Sequence, residues 1–305
     1  MKEFMGAGFD RPVLALDTST AALCVAVVGD GRVLADARSI VERSHSVLAV
    51  PMVKDALAAA GVARDRLGGI AVGLGPGSYT GVRIAVTIAK TLAWAWGVPL
   101  VGVSSLEALA LGASGAASPE GAADGAGREW IVPLMDARRG QVYTALFESG
   151  GAGGWARLAG DGIRLMREWA DELAERVKKE SRHGAAARPD AMTSGTTADR
   201  DAEAGPGTAD GDTPAAAPGA AGLPDRITFV GDPSLHLAVL EQLGARLNGR
   251  VRVEVRPTVM EGRAVAELGV RRLAAGEADD PHALVPNYTQ LAEAEAKLLA
   301  GRQEG

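Results

Sequence analysis

Between Gly69 and Leu111 the chain reads GIAVGLGPGSYTGVRIAVTIAKTLAWAWGVPLVGVSSLEALAL, and no other stretch restricts the fold as tightly. Ile70–Leu74 predicts a buried strand, Gly81–Trp96 a long apolar helix and Pro99–Val103 a second buried strand. Ser104–Gly112 opens another helix under a serine cap. Gly97 closes the long helix, and Pro99 stands at a strand start, where no ladder donor is needed. Strands alternating with helices imply a sheet with helices packed on it.

Upstream, Val13–Asp17, Ala22–Val28 and Arg32–Ser39 predict three antiparallel strands. Thr18–Thr20 turns the first pair, and Asp30–Gly31 is a two-residue hairpin signal for the second. Ser46–Ala60 predicts a helix through Val47, Val50, Val53, Ala56, Leu57 and Ala60, with Pro51 in its first turn and Gly61 as its stop. After a small-residue linker, the opening recurs. Trp130–Asp136, a polar turn Ala137–Gly140 and Gln141–Phe147 echo the first hairpin, and Asp17 and Asp136 each end a strand at the hairpin mouth. Ile227–Val230, Gly231–Asp232–Pro233 and a helix Leu235–Leu243 echo the central unit. Val251–Val255 predicts a further strand, Val259–Ala275 a helix and Leu291–Ala300 a charged terminal helix. This is an internal duplication. It gives lobes at 1–112 and 129–305 joined by a linker at 113–128. Residues 181–225, rich in Ala, Gly, Pro, Asp and Thr, cannot bury enough surface to order and are expected to form a disordered insertion.

Composition narrows the chemistry. With 305 residues, 47% of them hydrophobic, the chain can fill sizeable cores. A net charge of −6 and only 4% aromatic residues argue against a protein that grips nucleic acid by charge or base stacking. The single cysteine, Cys24, excludes disulfides and thiolate clusters. No signal core or membrane-length apolar run is present, so a cytoplasmic protein without membrane contact is expected.

The glycine turn at Gly73, Gly75, Gly77 and Gly81 suggests phosphate binding, but a P-loop needs a lysine directly after its glycines, and the first here is Lys90. A dinucleotide fold needs an acid ending the next strand, where Ser104–Ser105 stand. Glycines that permit a tight turn and close packing are the favoured reading. Ser78 is not in G-x-S-x-G, and no histidine pair has metal-ligand spacing, so neither a catalytic residue nor a metal site is expected. His45, His236 and His282 read as isolated, and His183 falls in the insertion. Arg250, Arg252, Arg256 and Arg271–Arg272 read as solvated. Arg138–Arg139 is the basic cluster worth testing for an anion. On the long helix, Val82, Ala85, Val86, Ala89, Leu92, Ala93 and Trp96 form one apolar stripe, and Ile84, Ile88 and Ala95 a second. That arc is wider than one sheet face requires, so a second layer of this chain or another subunit must cover it.

VLALDTST, GLGPGSYTGVRIAVTIAKTLAWAWGVPLVGVSSLEALA and PLMDARRGQVYTALF together resemble the TsaB (YeaZ) family, as does a tail carrying Pro-Asn-Tyr. The resemblance implies a duplicated RNase H-like, actin-like ATPase (ASKHA) fold of two mixed-sheet lobes with flanking helices. It implies a role in making threonylcarbamoyladenosine next to the anticodon of tRNAs reading ANN codons. In the catalytic paralogue TsaD, the equivalent strand runs into a motif like V-N-H-L-E-G-H, whose histidines bind metal. Here Ser105 and Leu109 stand at those positions. The resemblance therefore implies a non-catalytic subunit that pairs with TsaD, homodimerises alone, joins the ATPase TsaE in a larger complex and meets tRNA only indirectly. Its partner interface would draw on Val47, Val50, Lys54, Gly81, Arg83, Ile84, Thr87, Ile88, Thr91 and Ala95. Asp17, Thr18, Ser19, Thr20, Ser78, Asp136 and Arg138 mark where phosphate loops lie in actin-like ATPases. Ser19 and Arg138 replace the glycines of those loops, which weighs against ATP, and no cofactor is expected. The competing readings are a stand-alone ATPase or peptidase-like hydrolase, and a homodimeric structural protein without a tRNA role.

Overall fold

A computed structural model describes residues 9–40, 45–114, 127–150, 154–186 and 222–289, with 183–186 as backbone only. The first sheet joins β1 (Val13–Asp17), β2 (Ala22–Gly29), β3 (Arg32–Ile40), β4 (Gly69–Gly73) and β5 (Leu100–Val103) in the order β3-β2-β1-β4-β5. The second joins β6 (Glu129–Asp136), β7 (Gln141–Ser149), β8 (Trp155–Leu165), β9 (Arg226–Gly231) and β10 (Arg252–Pro257) in the order β10-β9-β6-β7-β8. Read from the third strand of each copy, the two orders are the same. In both, the first three strands run antiparallel and the last two add in parallel. The duplication expected from sequence is therefore present as topology.

Helices α1 (His45–Ala60) and α2 (Tyr79–Trp96) cover the outer face of the first sheet. The outer face of the second sheet carries α4 (Met166–Ala186) and α5 (Leu237–Leu247). Between the sheets lie α3 (Ser105–Ala113) and α6 (Gly262–Ala274), and they cross over. The α3 helix leaves the first sheet to pack on β6, β7 and β9, whereas α6 returns to pack on β1, β2, β4 and β5. One central core thus includes Ala15, Ala71 and Val101 of the first sheet, Ile131 and Phe147 of the second, and Leu106, Leu109, Val265 and Leu268 of the crossing helices. Burial of that apolar surface fastens the lobes into a five-layer α/β/α/β/α stack.

Local chemistry explains the punctuation. Asp30 and Gly31 both have positive φ, as the hairpin between β2 and β3 requires. Gly97 ends α2 in the left-handed region, and the Ser104 side chain caps α3 by accepting from the Glu107 amide at 3.1 Å.

Several expectations are corrected. Residues 181–186 continue α4, so His183 lies on a helix, and Leu223 packs against the second lobe's outer core. The disordered insertion expected at 181–225 is therefore contradicted at 181–186 and at Leu223; residues 187–221 lie outside the described residues, as do most of the linker and the terminal helix expected at 291–300. Pro51 stands inside α1, beyond its first turn. Pro51 and Val47, whose carbonyl it leaves without an intrahelical donor, are both exposed, so water can satisfy that carbonyl. The last helix starts at Gly262 rather than Val259, because Met260 is drawn into the core before the helix begins. Among the described residues no helix is long and apolar enough to cross a membrane.

Candidate functional site

The lobes enclose a cleft of about 1440 Å³. The first lobe supplies the turn after β1 and the glycine loop before α2. The second supplies the turn after β6 and the segments after β9 and β10. Pro286–Thr289 close one side. Of the seven residues marked for a nucleotide or anion, Ser19, Thr20, Ser78, Asp136 and Arg138 line this cleft. Asp17 and Thr18 do not.

Asp17 is fully buried. Its Oδ1 accepts from the Ser19 amide at 2.7 Å and the Ser19 hydroxyl at 2.6 Å, and its Oδ2 accepts from the Ser105 hydroxyl at 2.5 Å. Burial raises its pKa above the usual 3.8, although the Ser105 and Ser19 donors pull the other way. Ser105 Oγ also accepts from the Gly75 amide at 3.0 Å, tying the glycine loop to the start of α3. Thr18 bridges to α2, donating to the Gly81 carbonyl at 2.5 Å and accepting from the Ala85 amide at 3.2 Å.

The glycine loop is packed against the turn after β1. The Ser78 amide donates to the Ser19 carbonyl at 2.7 Å. A Cβ at Gly77 would collide with that same carbonyl, and one at Gly81 with the carbonyl of Thr18. The packing reading of these glycines is the one the geometry supports. It also removes Gly81 from the surface residues expected at an interface, because Gly81 is buried against Thr18.

The equivalent position in the second lobe is open. Asp136 is exposed to the cleft and, among the described residues, accepts from the Arg138 amide at 2.9 Å. Arg138 and Arg139 follow with φ of 66° and 55°, exposed, with no carboxylate partner among the described residues. Leu109, one turn after Ser105, lines the cleft and abuts Gly231. Among the described residues no three His, Cys, Asp or Glu side chains gather to hold a metal.

On the outer face, Val47 and Val50 of α1 are 72% and 52% exposed. Lys54, Arg83, Thr87, Thr91 and Ala95 are exposed, and Ile84 and Ile88 are half-buried beside the core of that lobe. Part of the wide apolar arc of α2 is covered by this chain itself: Lys90 donates to the Leu284 carbonyl at 2.7 Å, and Leu284 packs against the core beneath. Arg272, expected to be solvated, instead donates to the Gly102 carbonyl and pairs with Asp279 at 2.9 Å. Asp232 and Val259 also line the cleft, and no periodicity marks them as site residues, because the lobes bring them to it only in the fold.

A family model described as TsaD, tRNA N6-adenosine threonylcarbamoyltransferase, matches residues 38–197. The "tRNA threonylcarbamoyladenosine biosynthesis protein TsaB" of Bacillus subtilis is 32% identical over 296 residues, which are 95% of this chain and 99% of that protein. The chain belongs to the TsaB (YeaZ) family. TsaB of Escherichia coli is 38% identical over 143 residues, covering 47% of this chain and 58% of that protein. The solved YeaZ of Pseudomonas aeruginosa superposes with a TM-score of 0.57 at 23% identity, over 91% of this chain and 99% of that one. It shares the fold. Within the TsaB family, the duplicated ASKHA architecture accounts for the crossing helices, the cleft and the paired hairpin turns.

Proposed function

We propose that this chain is a non-catalytic subunit that activates TsaD, the paralogue that transfers the threonylcarbamoyl group to tRNA. The observation that carries this reading is the state of the first phosphate-loop position. Asp17 is buried with three donors spent on it, Ser105 is one of those donors, and Leu109 offers no ligating atom. With Asp17 withdrawn, none of the described first-lobe residues lining the cleft is a carboxylate that could position a metal-bound phosphate opposite Asp136 and Asp232 of the second lobe. The role left is assembly. Val47, Val50, Lys54, Arg83, Ile84, Thr87, Ile88, Thr91 and Ala95 form the docking face, which also serves a homodimer when TsaD is absent. TsaE joins the pair in a larger cytoplasmic complex, and tRNA is held through TsaD.

Co-expression with the host's TsaD and size-exclusion chromatography test this. Val47→Glu with Thr91→Glu changes exposed positions, so the variant should stay folded and elute without TsaD. Undiminished co-elution would remove α1 and α2 from the interface. Metal-dependent ATP hydrolysis by the chain alone, abolished by Asp136→Ala, would overturn the non-catalytic reading.

A further inference from the structure

Arg83 stands on the exposed flank of α2, one turn before Thr87, and its guanidinium is held in place. Nε donates to the Tyr288 hydroxyl at 2.9 Å. The guanidinium carbon lies 3.8 Å from the centre of the Tyr79 ring and 5.4 Å from that of Tyr288. The two rings are 5.8 Å apart and tilted by 41°. Tyr288 is itself anchored, because the neighbouring Asn287 amide donates to the Leu74 carbonyl at 2.8 Å. The Tyr79 hydroxyl is a second hydrogen-bond partner of the guanidinium, and no carboxylate pairs with Arg83 among the described residues. A guanidinium carries five N–H donors, so the exposed Arg83 keeps donors that match the oxygens of a carboxylate. An arginine already stacked and bonded loses less freedom on binding than a loose one.

Resting on the reading above, we propose that Arg83 is the point at which the α1–α2 face receives a carboxylate of TsaD, with Tyr79 and Tyr288 as positioning residues. A carboxylate is favoured over a nucleic-acid phosphate because the chain carries a net charge of −6, which repels a polyanion. The contact also couples two regions. Tyr79 and Tyr288 both wall the cleft, so docking that fixes Arg83 also fixes the cleft's rim, and by linkage an ordered rim strengthens docking.

The test is a double-mutant cycle, with TsaD affinity measured by calorimetry for the full chain, Arg83→Gln, Tyr288→Phe and the double variant. Arg83→Gln should weaken binding by roughly 10–100-fold, and Tyr288→Phe, which keeps the ring, by roughly 3–10-fold. In the double variant, Tyr288→Phe should add nothing to Arg83→Gln. Arg83→Lys should recover part of the affinity and be insensitive to Tyr288→Phe. Equal effects of Tyr288→Phe with and without Arg83 would overturn the positioning role. Unchanged TsaD affinity in Arg83→Gln, with or without a loss of tRNA binding by the complex, would overturn the carboxylate contact. A wild-type chain that does not bind TsaD would sink the preceding reading first, and this one with it.

Discussion

Ser105→Ala should be far more damaging than a hydroxyl deletion on a surface, and its cost should depend on pH. The wild-type hydroxyl serves two buried groups at once: it donates to Asp17 Oδ2 at 2.5 Å and accepts from the Gly75 amide at 3.0 Å. Losing a hydrogen bond to a charged acceptor costs about 1.5–3 kcal/mol, and an orphaned buried amide about 1–3 kcal/mol more. The two losses share one site and relax together, so a total of about 3 kcal/mol is expected. For a domain of this size that is a melting-temperature drop of about 6–12 °C. The sign of the pH term follows from Asp17, whose pKa lies above its ordinary 3.8 because burial disfavours the ionised form. Stability from a carboxyl of that kind is fully present below 3.8 and is lost as pH rises through the folded value. Ser105 favours ionised Asp17, so its removal raises the folded pKa further. The variant's deficit should therefore be larger at pH 8 than at pH 5. Urea denaturation followed by circular dichroism at both pH values measures it, and Asp17→Asn should flatten the dependence. A deficit under about 1 kcal/mol, or one equal at both pH values, would refute the shared role of Ser105.

Two further outcomes are expected. Gly269→Ala would drive a Cβ into that of Ala71 between α6 and the first sheet, and overpacking of this kind costs about 1–3 kcal/mol; an unmoved urea midpoint would mean the crossing helix is loosely seated. Cys24 is buried, and burial pushes its thiol well above the usual 9.0, so a disulfide reagent at pH 8 should label it only after denaturation; rapid labelling of the native protein would contradict its place in the core.

What the sequence reveals is local. The hairpin at Asp30–Gly31, the stop at Gly97 and the serine cap at Ser104 are each decided within a few residues, and each is legible. The amphipathic period of α4, carried by Met166, Trp169, Ala170, Leu173, Ala174 and Val177, is equally present in the sequence, yet a reading centred on repeats passes over it. The edge strand β8 is harder. Its residues are mostly half-buried, and its pairing to β7 shifts register, so no clean alternation marks it. The crossing of α3 and α6 is invisible to local pattern, because an apolar stripe does not say which sheet it will meet. The candidate site divides in the same way. Asp17 and Asp136 occupy matching places in a repeat, and nothing in VLALD or WIVPLMD tells that one side chain is sealed and the other open.

That difference is set by long-range partners. Asp17 is sealed by Ser105, which is 88 residues away. The turn after β1 is sealed by Gly77 and Gly81, whose missing side chains let the glycine loop and the start of α2 close upon it. The bonds that remove the first acid from the cleft also weld β1, the glycine loop, α2 and α3 into one block. To bring Asp17 back to a ligand, the chain would have to break three hydrogen bonds and expose a carboxylate now held among buried donors. A block that cannot open in this way is a poor phosphoryl-transfer site, because such chemistry needs charges free to meet the substrate from both lobes. It is a good mount for α2, whose outer surface can then present Arg83, Thr87 and Thr91 at fixed spacing to a partner. On the proposed reading, rigidity behind the helix and the withdrawal of Asp17 from the cleft have one cause, and a substitution that loosens the Asp17–Ser105 contact should weaken docking while leaving the proposed docking face itself untouched.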